Sequence, residues 1–158
     1  MANTQSMCTS FLGELMTATH NFGSSPTRAG STADTFKAAL YLTTATLNAS
    51  TTAYSSTGEI TGTNYTAGGN TVTNATPPSS TNSSATAGVG YWTPSASLSW
   101  SNLTQATAFD TVLIYNSTQS NKAVSVHTFG SQTITAGTFT LTMPSNTTTT
   151  ALLRLATT

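Results

Sequence analysis

The four consecutive apolar residues Val112-Leu113-Ile114-Tyr115 decide the fold class of this chain. A short run of this kind, rich in β-branched and aromatic side chains, is typical of a strand that is covered on both faces. The polar, turn-forming segment 116–121 follows it, and apolar residues return between 123 and 129. The sequence therefore predicts a central antiparallel hairpin with strands at 111–115 and 123–129.

Outward from this hairpin, the chain keeps the period of two that marks strands with one buried and one wet face. Leu98 and Trp100 alternate with serines, and the apolar residues at 139, 141 and 143 alternate with threonines. Segment 36–42 also alternates. One row contains Phe36, Ala38, Leu40 and Leu42, and the other contains Lys37, Ala39 and Tyr41. Segment 151–155 is almost continuously apolar, which predicts a further strand in the middle of the core.

Glycine-containing turn signals separate these segments, at 67–70, 129–131 and 136–137. Their spacing is typical of an antiparallel meander or sandwich. The sequence thus predicts an all-β fold, with residues 1–158 in one domain that forms an antiparallel β-sandwich of about eight strands. Its topology is predicted to be jelly-roll or immunoglobulin-like. The apolar side chains predicted for its core are Val112, Ile114, Leu141 and Leu153.

Residues 10–18 depart from the strand pattern, because their apolar side chains form two pairs spaced four residues apart. This spacing predicts one short N-terminal helix with Ser10 as its N-cap. A helix of about nine residues is marginal in water, so we expect it to dock on its own domain or on a neighbouring subunit. Its apolar side chains are the candidate interface of the protein: Phe11, Leu12, Leu15 and Met16.

Two further segments lack any strand or helix period. Residues 23–31 are rich in Gly, Ser and Pro and are predicted to connect the helix to the first long strand. Residues 76–90 contain two adjacent prolines and a Ser/Thr/Gly run, which predicts an exposed loop.

Charged side chains are rare, since four basic and four acidic residues make up only 5% of the chain. The 38 threonines and 21 serines supply the polarity of the surface instead. Nucleic-acid binding needs clustered Lys and Arg, which this sequence lacks. It also lacks a run of about 18 apolar residues and the features of an export signal. We therefore predict synthesis in the cytoplasm and no binding to nucleic acid or membrane.

The sequence suggests no catalytic or metal-binding constellation. Cys8 is the single cysteine, so an internal disulfide is excluded. His20 and His127 are expected to be structural, and the four acidic residues show no spacing that would pair them. We predict that the protein is not an enzyme and has no catalytic, metal-binding or cofactor-binding residues. The loop-proximal aromatic residues are interpreted as core or rim, with a sugar-binding patch as the alternative: Tyr54, Tyr65, Tyr91 and Trp92.

Eight short blocks between residues 10 and 155 resemble a known group of proteins. The blocks of the first half are SFLGELM (10–16), HNF (20–22), DTFKAALY (34–41) and YTAGG (65–69). The blocks of the second half are AFDTVLIYN (108–116), NKAV (121–124), FG (129–130) and TFT (138–140). Together they resemble small structural proteins that tailed bacteriophages encode. These are strand and turn motifs, and none of them is a catalytic signature.

The resemblance implies a virion component on the outer capsid surface, namely a capsid decoration or cement protein that stabilises the phage head. It implies the major capsid protein as partner and self-association as a homotrimer. Such a decoration protein would stabilise the capsid lattice because it binds several capsid subunits at once, so that weak contacts add up. The alternative is a tail or fibre-associated virion protein that binds a glycan of the host surface.

Overall fold

The computed structural model describes residues 2–23, 32–74, 76–81 and 88–157. Within these ranges the chain forms eight strands and one helix. In chain order they are β1 Ser6–Met7, α1 Thr9–Met16, β2 Phe36–Leu42, β3 Asn70–Thr71, β4 Ser79–Ser80, β5 Val89–Trp92, β6 Leu98–Asn116, β7 Lys122–Leu141 and β8 Leu153–Ala156. The predicted all-β class with one short N-terminal helix is confirmed.

The strands form two antiparallel sheets. The larger sheet has the order β1-β7-β6-β2-β3, and the smaller one has the order β4-β5-β8. All pairings between named strands are antiparallel, as predicted. The jelly-roll or immunoglobulin-like assignment stays a prediction.

The hairpin of β6 and β7 is the centre of the larger sheet. A turn at 117–121 joins the two strands, and Asn116 pairs with Lys122 at its base. On its other side β6 pairs with β2, so that β6 is a central strand. Val112, Leu113 and Ile114 have no exposed surface. The predicted hairpin, with an apolar strand covered on both faces, is confirmed.

The two hairpin strands are much longer than predicted, because β6 and β7 continue through two of the predicted turns. Between the pairs Phe109–Gln132 and Thr111–Thr128, β6 advances two residues while β7 advances four. A smaller bulge follows at Ala136, whose φ is +47°. The turn signals at 129–131 and 136–137 therefore mark β-bulges within one strand, and their prediction as turns is wrong.

The turn predicted at 67–70 is present. Gly68 and Gly69 both have positive φ, and β3 starts at the next residue. A Cβ at Gly69 would lie 1.8 Å from the carbonyl oxygen of Ala38 in β2. Only glycine fits this close approach of the turn to the sheet.

A cluster of aromatic rings joins the two sheets. Phe36 of β2 stacks on Phe22, with 4.3 Å between the ring centroids. Trp92 of β5 packs edge-on against Phe22 at 4.8 Å. All three rings are buried. Because β2 and β5 belong to different sheets, this contact buries the inner faces of both, as in a sandwich.

Parts of the predicted core are placed differently. Strand β2 is buried on both faces, including Ala39 and Tyr41, so its alternation does not give one wet face. Leu141 is only half-buried because it lies at the end of β7, and the prediction that it belongs to the core is wrong in that respect. Leu153 is buried, but Leu155 is 45% exposed. Segment 151–155 is thus an edge of the smaller sheet rather than the middle of the core.

The predicted loop at 76–90 contains strand residues. Its residues 76–81 are exposed, but Ser79 and Ser80 form β4 and pair with β5, which begins at residue 89. Two adjacent serines carry no periodic signal, so the sequence did not predict this pairing. Residues 82–87 of the loop and residues 24–31 of the predicted connector lie outside the described residues.

Candidate functional site

Helix α1 leads directly out of β1, which pairs with β7. The helix begins after Cys8, whose backbone is extended and whose side chain makes no capping hydrogen bond. It runs over Thr9–Met16, slightly earlier than the predicted 10–18. Ser10 is therefore not the N-cap but lies in the first turn, where its buried Oγ has no hydrogen-bond partner among the described residues. Side-chain contacts, not a cap, hold this helix in place.

The four candidate interface residues point in two directions. Phe11 is buried and Leu15 is partly buried, and both pack against the core. Leu12 is 44% exposed and Met16 is 85% exposed. Residues four apart share one face of a helix, so Phe11 and Leu15 form the docked face while Leu12 and Met16 form an exposed one.

An apolar pocket with a volume of about 140 Å³ lies between α1 and the smaller sheet. Phe11 and Leu15 supply its helix side, and Tyr91 and Leu155 are among the residues on its sheet side. None of its lining residues is charged. We call the exposed residues Leu12, Met16 and Leu155, together with this pocket, the helix-end surface.

A network of charged groups fastens α1 to the central hairpin. The carboxylate of Glu14 accepts a hydrogen bond from Lys122 Nζ at 2.7 Å and lies 2.7 Å from His20 Nε2. The side chain of His20 is completely buried. Lys122 is the first residue of β7, so these contacts join residues 108 positions apart in the chain.

Asn116 extends this network to the start of β2. Its Oδ1 accepts hydrogen bonds from two backbone N–H groups, and its Nδ2 donates to Asp34 at 2.7 Å. Nδ2 also lies 3.0 Å from His20 Nδ1. Since an amide nitrogen can only donate, Nδ1 of His20 is the acceptor and Nε2 carries the proton that it donates to Glu14. The network therefore fixes the orientation of the His20 ring.

The network predicts a specific pH dependence. Burial acts to raise the pKa of Glu14, but hydrogen bonds from Lys122 and His20 outweigh it and hold that pKa below its usual value. A carboxyl with a lowered pKa stabilises the folded state above its unfolded pKa of about 4.3. This stabilisation is lost as the pH falls through the folded pKa. We expect the melting temperature, measured by circular dichroism, to fall steeply below about pH 4.

The Glu14→Gln variant isolates this effect. It is expected to melt at a lower temperature than the native chain at pH 7, and the difference should shrink as the pH falls towards 2.5, because the native carboxylate becomes protonated. A difference that stays constant over this range would show that Glu14 does not carry the pH dependence.

A serine and histidine pair on β7 is the strongest catalytic candidate. Ser125 Oγ lies 2.8 Å from His127 Nε2, in an open cleft between β8 and β1. Desolvation lowers the pKa of His127 to about 4. No carboxylate of the described residues contacts His127, so the pair lacks the third group that orients a catalytic imidazole. Residues two apart on a strand share one face, which explains the contact structurally.

Other chemistry is equally unsupported within the described residues. No three His, Cys, Asp or Glu side chains come together as a metal site there. Burial raises the pKa of the Cys8 thiol to about 11, which keeps it protonated and unreactive. The helix of the described part is too short and too polar to cross a membrane.

The tyrosines considered for a sugar-binding patch serve a buried carboxylate instead. Tyr54 and Tyr65 each donate a hydrogen bond of 2.6 Å to Glu59, which is buried. The backbone N–H of Gly68 donates a third, at 2.7 Å. Burial and these hydrogen bonds raise the pKa of both phenols far above the usual value. The four aromatic residues do not form one exposed patch, since Trp92 is also buried.

Comparison with protein-family models, with curated proteins and with solved structures finds no match to this chain.

Sequence reasoning missed the Glu14, His20 and Lys122 network. Its members are far apart in the chain, and each looks unremarkable alone. One signal was available, which is the rarity of charge. The chain has only eight Lys, Arg, Asp and Glu residues, so each of them is a candidate for a specific structural contact.

Proposed function

We propose that this chain is a non-enzymatic capsid decoration protein that binds the outer surface of a tailed-phage head through its helix-end surface. The capsid assignment rests on the sequence resemblance of the strand and turn blocks. One structural observation supports binding through this surface. The exposed large apolar side chains of the described residues are Leu12, Met16 and Leu155, two on α1 and the third at the pocket beside it.

Contiguous exposed apolar surface marks interaction sites on soluble proteins. Leu12 and Met16 lie one turn apart on the same exposed face of α1. The helix that carries the cluster is short, yet the Glu14 contacts to His20 and Lys122 hold it rigidly on the hairpin. A preorganised surface loses little conformational entropy on binding. The arrangement is therefore suited to a module that attaches to a repeated lattice.

The partner that this proposal implies is the major capsid protein. Contacts through apolar side chains depend little on ionic strength, which suits a surface with so few charges. The homotrimer implied by the resemblance stays a prediction. The glycan-binding alternative also stays a prediction, and the inward orientation of Tyr54 and Tyr65 gives it no support.

Polar substitution of the exposed helix face tests this proposal. The double variant Leu12→Ser, Met16→Ser is expected to lose most of its binding to phage heads that have been stripped of the protein. Its melting temperature should stay within a few degrees of the native value, because both side chains are exposed. Co-sedimentation with the heads measures binding, and circular dichroism measures melting.

The matched control is Ala96→Ser, a polar substitution at an exposed residue just before β6. It should bind the heads like the native chain. Native binding by the double variant would reject the helix-end surface as the attachment site. Weak binding by both variants would point to a contact elsewhere on the molecule.

A further inference from the structure

Strand β7 has a long edge that no other strand of the described residues covers. β1 pairs with β7 only opposite Ser125 and Val126. From residue 128 to residue 141, the pairing partner of β7 is β6 alone. The backbone N–H and C=O groups along the other edge are free to pair with a strand from outside the chain.

The last three residues of this edge, 139–141, are regular and unprotected. The bulges at 129–131 and at Ala136 lie before them and disturb pairing there. Residues 139–141 pair with residues 98–100 of β6 without a register shift, and the next irregularity is an extra residue on the β6 side, between Trp100 and Leu103. Proteins usually guard such edges with charged residues or proline, and the segment 130–141 contains neither.

The side chains of this segment define the strand that would fit beside it. Phe139 and Leu141 lie half-buried on one face, while Thr138 and Thr140 are exposed on the other. An added strand must place apolar residues beside the first pair and polar residues beside the second. It therefore needs the same alternation that this segment has itself.

The segment is also symmetric about Phe139, because Thr138-Phe139-Thr140 is the same sequence in both directions. A two-fold axis through this position would pair two copies antiparallel. It would place Phe139 opposite its own equivalent, and Thr138 opposite Thr140 of the second copy. Aromatic pairs and threonine pairs directly opposite each other are favourable in antiparallel sheets.

We propose that the free edge of β7 pairs with the same edge of a second copy of this chain, with Phe139 on the two-fold axis. The contact is isologous, so it closes on itself after two copies. It is distinct from the helix-end surface and does not depend on the proposed attachment to a capsid. It would join the five-stranded sheets of two copies into one continuous sheet.

Disulfide formation between two single-cysteine variants tests the register. In the proposed pairing a cysteine at position 138 faces a cysteine at position 140 of the other copy. An equimolar mixture of Thr138→Cys and Thr140→Cys chains should therefore form disulfide dimers on mild oxidation at least several-fold faster than either variant alone. The native Cys8 does not interfere, since it is buried and its thiol stays protonated. Equal rates in the mixture and in the separate variants would overturn the proposed register.

Charge on the edge tests the contact itself. The native chain should sediment with an even number of copies, and Thr138→Lys, Thr140→Lys should halve that number, because it brings four lysines together at the axis. The matched control is Thr57→Lys, Thr66→Lys, which adds the same charge at exposed threonines between β2 and β3 and should leave the mass unchanged. Capsid binding plays no part in this measurement. A monomeric native chain, an odd number of copies, or no effect of the edge lysines would overturn the proposal.

Discussion

Replacement of Phe36 by alanine is expected to lower the free energy of unfolding by about 3 to 5 kcal/mol, the cost of removing a fully buried phenyl ring. Phe36 has no exposed surface. Its ring stacks on Phe22 and lies 6.1 Å from the ring of Trp92. The variant would leave a cavity where the two sheets meet, so the smaller sheet should lose its order first.

Chemical denaturation measures this loss, and in a Trp100→Phe background the fluorescence of Trp92 reports on the contact between the sheets. The matched control is Phe129→Ala, because Phe129 is only partly buried in the outer half of the hairpin. Phe129→Ala should lower the free energy of unfolding clearly less than Phe36→Ala does. Equal losses for both variants would mean that the Phe22, Phe36 and Trp92 cluster does not hold the sheets together.

Replacement of Glu59 by alanine is expected to cost about 3 kcal/mol or more, since it leaves three hydrogen-bond donors without their acceptor. The hydroxyls of Tyr54 and Tyr65 and the N–H of Gly68 all donate to this buried carboxylate. Tyr65 also accepts a hydrogen bond from the backbone N–H of Leu40 in β2. The loss of stability should therefore extend from the loop that carries Glu59 into β2 of the larger sheet.

The variant Glu59→Gln separates hydrogen bonding from the simple loss of a side chain. Its amide keeps one oxygen acceptor but adds two donors, so we expect a loss smaller than that of Glu59→Ala. Thermal and chemical denaturation at pH 7 measure both. A stability close to native for Glu59→Ala would show that water replaces the carboxylate without cost.

The central hairpin could be predicted because its signal is local. Val112, Leu113 and Ile114 are adjacent, and the polar turn that follows fixes the direction of the chain. Burial on both faces then follows from the lack of any polar residue in the run. No comparable local signal exists for Ser79 and Ser80, which pair with β5 only because the rest of the fold brings them together.

The length of the hairpin strands could not be predicted, because glycine has two meanings in a strand pattern. The sequence pattern predicts turns at Gly130 and Gly137, yet both residues lie within β7. A bulge and a turn both need residues that tolerate unusual backbone angles, and only the partner strand distinguishes them. Here β6 supplies partners on both sides of each bulge, so the strand continues.

The candidate interface could be predicted in part. Helical spacing identified the apolar positions of α1, but it could not say which pair would dock. The structure docks Phe11 and leaves Met16 exposed. The docked orientation of the helix also brings the Glu14 carboxylate within 2.7 Å of Lys122 Nζ. That contact spans most of the chain and has no trace in local spacing.

The number of copies per phage particle tests the proposed function most directly. Under the proposed function the chain is the product of a phage gene, and purified particles of that phage would be analysed by quantitative gel densitometry, with the major capsid protein as the internal standard. A decoration protein of the head predicts copies in the hundreds, in a fixed ratio to the capsid protein. A few copies per particle, or none, would contradict the proposal, and a few copies confined to the tail would favour the glycan-binding alternative.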